Sequence, residues 1–113
     1  MAIATNSFAV TSTSSASDPL SASNAVTGYS TMQLVATAFS GVIQCQGSAD
    51  GGVTYSALAL VNMNDGTTID GDTGVTAAGI YRADVGGVPL HRWKCSTFTS
   101  ATAAVGYVSV REG

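Results

Sequence analysis

With 113 residues, the chain is long enough for one domain around one hydrophobic core. Charged residues make up 10% of the sequence and apolar residues 45%, which excludes a disordered tail, and the abundance of Ser, Thr, Ala, Gly and Val favours strands over helices. A net charge of −3 argues against a nucleic-acid partner, and the absence of an apolar segment of roughly 20 residues argues against a membrane partner.

The first residues are polar and rich in Ser and Thr, without the basic start and apolar stretch of a signal peptide, so we expect synthesis and folding in a cytoplasm. Residues 3–13 alternate loosely, which indicates either a first strand or an extended arm. Residues 14–23, around Asp18-Pro19, have the composition of a loop. We therefore divide the chain into an N-terminal arm or first strand plus loop, residues 1–23, and a β-sandwich domain, residues 24–113.

Short alternating stretches that end at glycine-rich turns predict the remaining strands. In the stretch 42–47, Ile43 and Cys45 face one way while Gln44 and Gln46 face the other, which is typical of a sheet with one buried face. The pattern predicts an all-β antiparallel sandwich or jelly roll of seven to eight short strands. The predicted strands are 32–39, 42–47, 53–61, 80–85, 90–98 and 103–110, with a short one at 67–70 inside the loop 62–74, and turns at Ser40-Gly41 and Asp50-Gly51-Gly52.

The last two-thirds of the chain contain a spaced series of turn and strand residues. It consists of Gly47, Ser48, Asp50, Gly51, Tyr55, Leu58, Gly79, Tyr81, Asp84, Val85, Gly87, Arg92, Phe98 and Ser100. This series resembles that of small structural proteins of tailed double-stranded DNA bacteriophages, most of all capsid cement or decoration proteins. Two departures from the family pattern are Tyr55, where Trp is expected, and His91 and Trp93, where aliphatic residues are expected beside Arg92.

The resemblance implies a β-sandwich that binds the outside of a phage capsid, commonly as a trimer. The implied partners are the major capsid protein and further copies of the chain, and the implied location is the virion exterior after assembly in the host cytoplasm. An N-terminal arm would add a strand to the capsid with Phe8 and Val10 as anchors. Arg92 and Lys94 point outward beside each other on their strand and are the first candidates for a polar contact.

The sequence gives little support for a catalytic site. The one histidine, His91, lies on the inward face of a strand, where it is expected in the core, and nothing supports Asp70 and Asp72 as paired catalytic carboxylates. We predict that the protein is not an enzyme and uses no cofactor.

Metal binding has equally little support. The loop that holds Asn62, Asn64, Asp65, Asp70 and Asp72 has oxygen ligands, but their spacing does not match a calcium loop and is typical of turns. We therefore predict that the loop holds no metal ion.

The two cysteines are predicted to be buried, because alternation places Cys45 and Cys95 on the apolar side of their strands. A bridge between them would contribute about 4 kcal/mol by the chain-entropy estimate. Synthesis in a cytoplasm favours two free thiols instead.

An alternative function places the same fold in a tail or fibre, as a module that touches host glycans. Alternation puts Trp93 and Tyr81 in the core, which leaves Tyr29, Tyr55 and Tyr107 as rings that a sugar could reach. Copy number separates the two locations, since a shell protein is present in hundreds of copies per particle and a tail protein in few.

Overall fold

The alternating stretches fold into two packed antiparallel sheets in a computed structural model that describes residues 2–22 and 27–112. These residues form nine strands instead of seven or eight: β1 (Ala2–Ala9), β2 (Gly28–Val35), β3 (Ala38–Ser48), β4 (Ser56–Ala57), β5 (Leu60–Asn62), β6 (Thr68–Ile69), β7 (Gly79–Asp84), β8 (Leu90–Thr102) and β9 (Val105–Glu112). The order β1-β9-β2-β7-β5-β6 forms a six-stranded sheet and β4-β3-β8 a three-stranded one, which confirms the predicted all-β sandwich. The described residues include no helix that could cross a membrane.

The core lies between the inward faces of the two sheets. Trp93 of β8 is fully buried at its centre, with Met32 and Leu34 from β2 and Ile43 from β3. Full burial of a large apolar side chain contributes about 1.5–3 kcal/mol, so each of these four positions stabilises the packing of the two sheets. The predicted alternation of β3 is confirmed, because Ile43 and Cys45 are buried whereas Gln44 and Gln46 are not.

The N-terminal segment belongs to the sandwich. β1 pairs with β9 along its length, and the side chains of Phe8 and Val10 are only 7% and 2% exposed. The expectation that Phe8 and Val10 anchor an arm on a partner is therefore corrected, since both side chains are used by the core. The predicted boundary between residues 23 and 24 lies outside the described residues.

The segment that follows β1 crosses to the other sheet and covers the free edge of β8. Ala16 and Leu20 form isolated bridges with Lys94 and His91, and the Ser17 amide donates to the Trp93 carbonyl at 2.8 Å. A long unpaired edge invites association with other chains, so this segment protects β8.

The predicted turn at Ser40-Gly41 was wrong. Ser40-Gly41 is not a turn but lies inside β3, at a register shift against β8; the chain turns at Ala36-Thr37 instead. Glycine inside a strand often marks such an irregularity, and here a Cβ on Gly41 would overlap the Thr97 carbonyl oxygen.

The predicted strand 53–61 is also interrupted. Residues 53–54 lie in a bend, and the chain leaves the three-stranded sheet after β4 and enters the six-stranded sheet at β5. Between them, the Leu58 amide donates to the Cys45 carbonyl at 2.7 Å.

Candidate binding surfaces

The outer side of the three-stranded sheet presents a polar surface around Arg92. We call it the Arg92 face and define it as Gln44, Gln46, Tyr55, Arg92 and Lys94. Arg92 lies opposite Gln46 in the ladder and Lys94 lies opposite Gln44, so the four strand residues form two neighbouring rows.

The guanidinium of Arg92 is held in one position by its own chain. Its Cζ lies 3.8 Å from the centroid of the Tyr55 ring, and its Nε donates to Gln46 Oε1 at 3.0 Å. The Gln46 amide in turn donates to Gln44 Oε1 at 3.0 Å. The two terminal nitrogens of Arg92 have no hydrogen-bond partner among the described residues, which leaves a fixed pair of donors for an external acceptor.

Lys94 lies on the same face, as the sequence predicted, and is also tethered. Its Nζ donates to the Thr13 carbonyl at 2.8 Å, in the segment that covers the β8 edge. The side chain is half-buried, so its aliphatic part packs on the sheet while the charge stays near solvent.

A short loop beside this face presents an apolar tip. Val53 is 84% exposed, the largest value among the exposed large apolar residues of the described chain. Asp50 Oδ1 accepts hydrogen bonds from the Thr54 amide at 2.9 Å and the Ser48 hydroxyl at 2.7 Å, and these bonds lower the pKa of Asp50. Sequence reasoning missed Val53 as a surface residue because it assigned the position to a strand.

The outer side of the six-stranded sheet holds a second surface, around Tyr107. It is a shallow depression of about 770 Å³ whose lining includes no charged side chain. We call it the Tyr107 face and define it by its outward-facing polar and aromatic residues, Thr5, Ser7, Thr31, Gln33, Tyr107 and Ser109.

A solved structure of another protein has a fold similar to that of this chain. The crystal structure of the SPBc2 prophage-derived protein YomS aligns with 95% of this chain and 91% of its own, at a TM-score of 0.69 and 16% sequence identity. The fold is similar to that of YomS. No family model matches the sequence, and no curated protein does.

The one histidine of the chain, His91, lies in the core. His91 is fully buried between the sheets, and this burial lowers its pKa to about 4. Its Nε2 lies 2.8 Å from Ser30 Oγ, which also accepts a hydrogen bond from Trp93 Nε1 at 2.8 Å. The arrangement ties β8 to β2 and keeps the imidazole away from solvent.

The Asn- and Asp-rich loop uses its side chains to form turns. Asn62 Oδ1 accepts from the Asn64 amide at 2.9 Å, and Asp65 Oδ1 accepts from the Thr67 amide at 3.0 Å. No group of three or more His, Cys, Asp or Glu side chains that could hold a metal ion occurs in residues 2–22 and 27–112.

Cys45 and Cys95 are both free and buried, and burial raises the pKa of each thiol. Their place in the core gives them no direct contact with a partner.

Proposed function

We propose that the chain is a phage virion structural protein that binds the outside of a capsid as a cement or decoration protein. The observation that supports this most directly is the shared fold with a prophage-derived protein over nearly the whole of both chains. A single small sandwich aligned from end to end fits a protein that acts by attachment as one unit. The proposed partner is the major capsid protein, and the proposed location is the virion exterior after assembly in the host cytoplasm.

The Arg92 face is the proposed contact. Arg and Tyr are enriched among the residues that dominate binding energy at protein interfaces. The stack on Tyr55 and the bond to Gln46 hold Arg92 before any partner arrives, so little side-chain entropy is lost on binding. Its two terminal nitrogens suit a carboxylate or a pair of carbonyl oxygens on the shell.

We propose that the protein assembles as a trimer. Four basic and seven acidic residues give the chain little repulsion between copies. Three linked copies would also raise the apparent affinity for a symmetric shell, because the second and third contacts form at a high effective concentration.

Attachment is tested with the double variant Arg92→Ala/Lys94→Ala added to particles that lack the protein. We expect the variant to remain folded, and we expect the fraction of it that sediments with the particles to fall well below that of wild type. Arg82→Ala is the matched control, since Arg82 lies 4.6 Å from the ring centroid of Tyr29 on the opposite sheet, in a similar stack. Equal sedimentation of the double variant and wild type would remove the Arg92 face from the proposal.

The trimer is tested separately by light scattering, which measures the molar mass of the purified chain in solution.

A tail or fibre location is the second candidate. The exposed ring of Tyr107 favours it, because an exposed aromatic ring can stack on a sugar of a host glycan. Quantitative mass spectrometry of intact particles separates the two locations. Hundreds of copies per particle support shell decoration, whereas a handful support the tail.

A further inference from the structure

We propose that the Tyr107 face binds a neutral saccharide. The site is distinct from the Arg92 face, because it lies on the outer side of the other sheet. Its central row runs across three strands, from Ser7 on β1 through Tyr107 on β9 to Gln33 on β2. The adjacent row runs from Thr5 through Ser109 to Thr31 on the same strands.

Tyr107 differs from the other tyrosines in having an open ring. Arg82 stacks on Tyr29 and Arg92 stacks on Tyr55, while Tyr81 is buried in the core. The Tyr107 side chain is 51% exposed, and no arginine covers its ring among the described residues. An uncovered ring beside polar side chains can pack against the apolar C–H face of a sugar.

The residues around this ring match a ligand rich in hydroxyl groups. Ser, Thr and Gln side chains each donate and accept hydrogen bonds, as sugar hydroxyls do. No charged side chain lines the depression; the nearest one along the row, Arg82, lies opposite Thr31 and is stacked on Tyr29. The depression itself therefore offers no counter-charge to a phosphate, a sialic acid or an amine. Its volume of about 770 Å³ lies within the range of roughly 300–1,000 Å³ that is usual for small-molecule sites.

The backbone of the site is rigid, since each row is fixed by the ladders between β1, β9 and β2. Sites built on strands hold their side chains more accurately than sites on loops. The hydroxyl-bearing side chains of Ser7, Thr31 and Ser109 are therefore already spaced before a ligand arrives.

The test is an NMR titration of the isolated, isotope-labelled chain with cellotriose, maltotriose and tri-N-acetylchitotriose, complemented by a glycan array. We expect saturable shifts at the amides of Ser7, Gln33 and Tyr107 with at least one neutral sugar. Tyr107→Ala is expected to weaken that binding about tenfold, the equivalent of about 1.4 kcal/mol, whereas Tyr107→Phe retains it. Tyr29→Ala, on the same sheet, is the control and is expected to bind as wild type.

The proposal is overturned if no neutral sugar on the array binds, or if binding survives Tyr107→Ala unchanged. Preference for acidic glycans would also overturn it. Protection of Tyr107 in assembled particles, with no sugar binding by the free chain, would instead make this face a protein interface. None of these results depends on the Arg92 face, so sugar binding and particle attachment can fail separately.

Discussion

Ser30 and His91 connect the two sheets through a contact of 2.8 Å between Ser30 Oγ and His91 Nε2. Trp93 Nε1 donates to the same oxygen, so the serine hydrogen is available for the imidazole. The ring hydrogen then lies on Nδ1, which leaves one unpaired polar atom instead of two. Nδ1 is buried and has no partner among the described residues.

Replacement of Ser30 with Ala removes the partner of two buried polar groups at once. Each group left unpaired costs about 1–3 kcal/mol, so we expect Ser30→Ala to lower the free energy of unfolding by about 2–6 kcal/mol. Urea denaturation followed by Trp93 fluorescence measures the loss. Ser7→Ala, at an exposed position on β1, is the control and is expected to change stability by less than about 0.5 kcal/mol. Equal stability of the two variants would show that the contact contributes nothing.

The buried imidazole also predicts a dependence of stability on pH. The pKa of His91 is lowered from 6.5 to about 4 by burial, so the unfolded chain binds a proton more readily than the folded one. Stability is therefore fully present above pH 6.5 and falls as the pH drops from 6.5 to 4, by up to about 3 kcal/mol. Denaturation curves at pH 7, 5.5 and 4.5 measure this slope.

His91→Gln is the control for this pH effect, because its amide does not titrate. We expect the variant to show little slope between pH 6.5 and 4. The pKa values of Asp50 and Asp65 are lowered from 3.8 by hydrogen bonds, chiefly from the Thr54 and Thr67 amides respectively, so their contributions are lost below this window. In wild type, an NMR titration of the native His91 ring with a midpoint near 6.5 would contradict the prediction.

The sequence was sufficient to predict which residues face the core wherever a strand has one buried side. Ile43, Cys45 and Trp93 follow strict alternation and are buried as expected. Alternation is a local property of an extended chain, so it is visible without knowledge of the partner strand.

Pairing between distant strands was not predictable in the same way. β1 was compatible with an arm because its loose alternation does not reveal that β9 lies beside it. The Arg92 face was found only in part, since Arg92 and Lys94 share a strand whereas Gln46 and Tyr55 meet them through tertiary structure. The exposure of the Tyr107 ring likewise could not be predicted, because it depends on which tyrosine rings the arginines cover in the folded chain.

Gly41 is expected to tolerate no side chain. A Cβ there would overlap the Thr97 carbonyl oxygen across the ladder, and backbone cannot move as a flexible side chain does. We expect Gly41→Ala to destabilise the protein by about 2 kcal/mol, within the range for overpacked sites. Ser40→Ala, at the exposed neighbouring position, is the control, and thermal unfolding of the pair measures the difference. Identical midpoints would mean that the register shift in β3 adapts to a methyl group.

The two thiols are expected to react only when the protein unfolds. Cys45 lies opposite Trp93 and Cys95 lies opposite Ile43, so the cysteines are diagonal neighbours. Such neighbours lie about 7–8 Å apart, beyond the usual reach of a disulfide. Iodoacetamide without reductant should add two groups in urea and react slowly with the native protein, as measured by mass spectrometry. A chain that takes up no label in urea would contain a disulfide.

Deletion of residues 1–14 tests whether the N-terminal segment is a removable arm or a strand that the sandwich needs. An arm could be removed without loss of the sandwich, but here the deletion removes β1 and leaves the edge of β9 unpaired. The Phe8 ring lies against Gly106, where a Cβ would come within 2.6 Å of ring Cε1. We therefore expect the truncated chain to lose the β-sheet signal in circular dichroism and the dispersed methyl signals in NMR.

A point variant makes the same test in the full-length chain. Phe8→Ala is expected to cost about 3–5 kcal/mol because it empties a buried position, whereas Ala9→Ser faces solvent on the same strand and should be nearly neutral. Chemical denaturation of both variants measures the difference. If the truncated chain stays folded and Phe8→Ala matches Ala9→Ser, the first strand is dispensable and its residues become available to a partner after all.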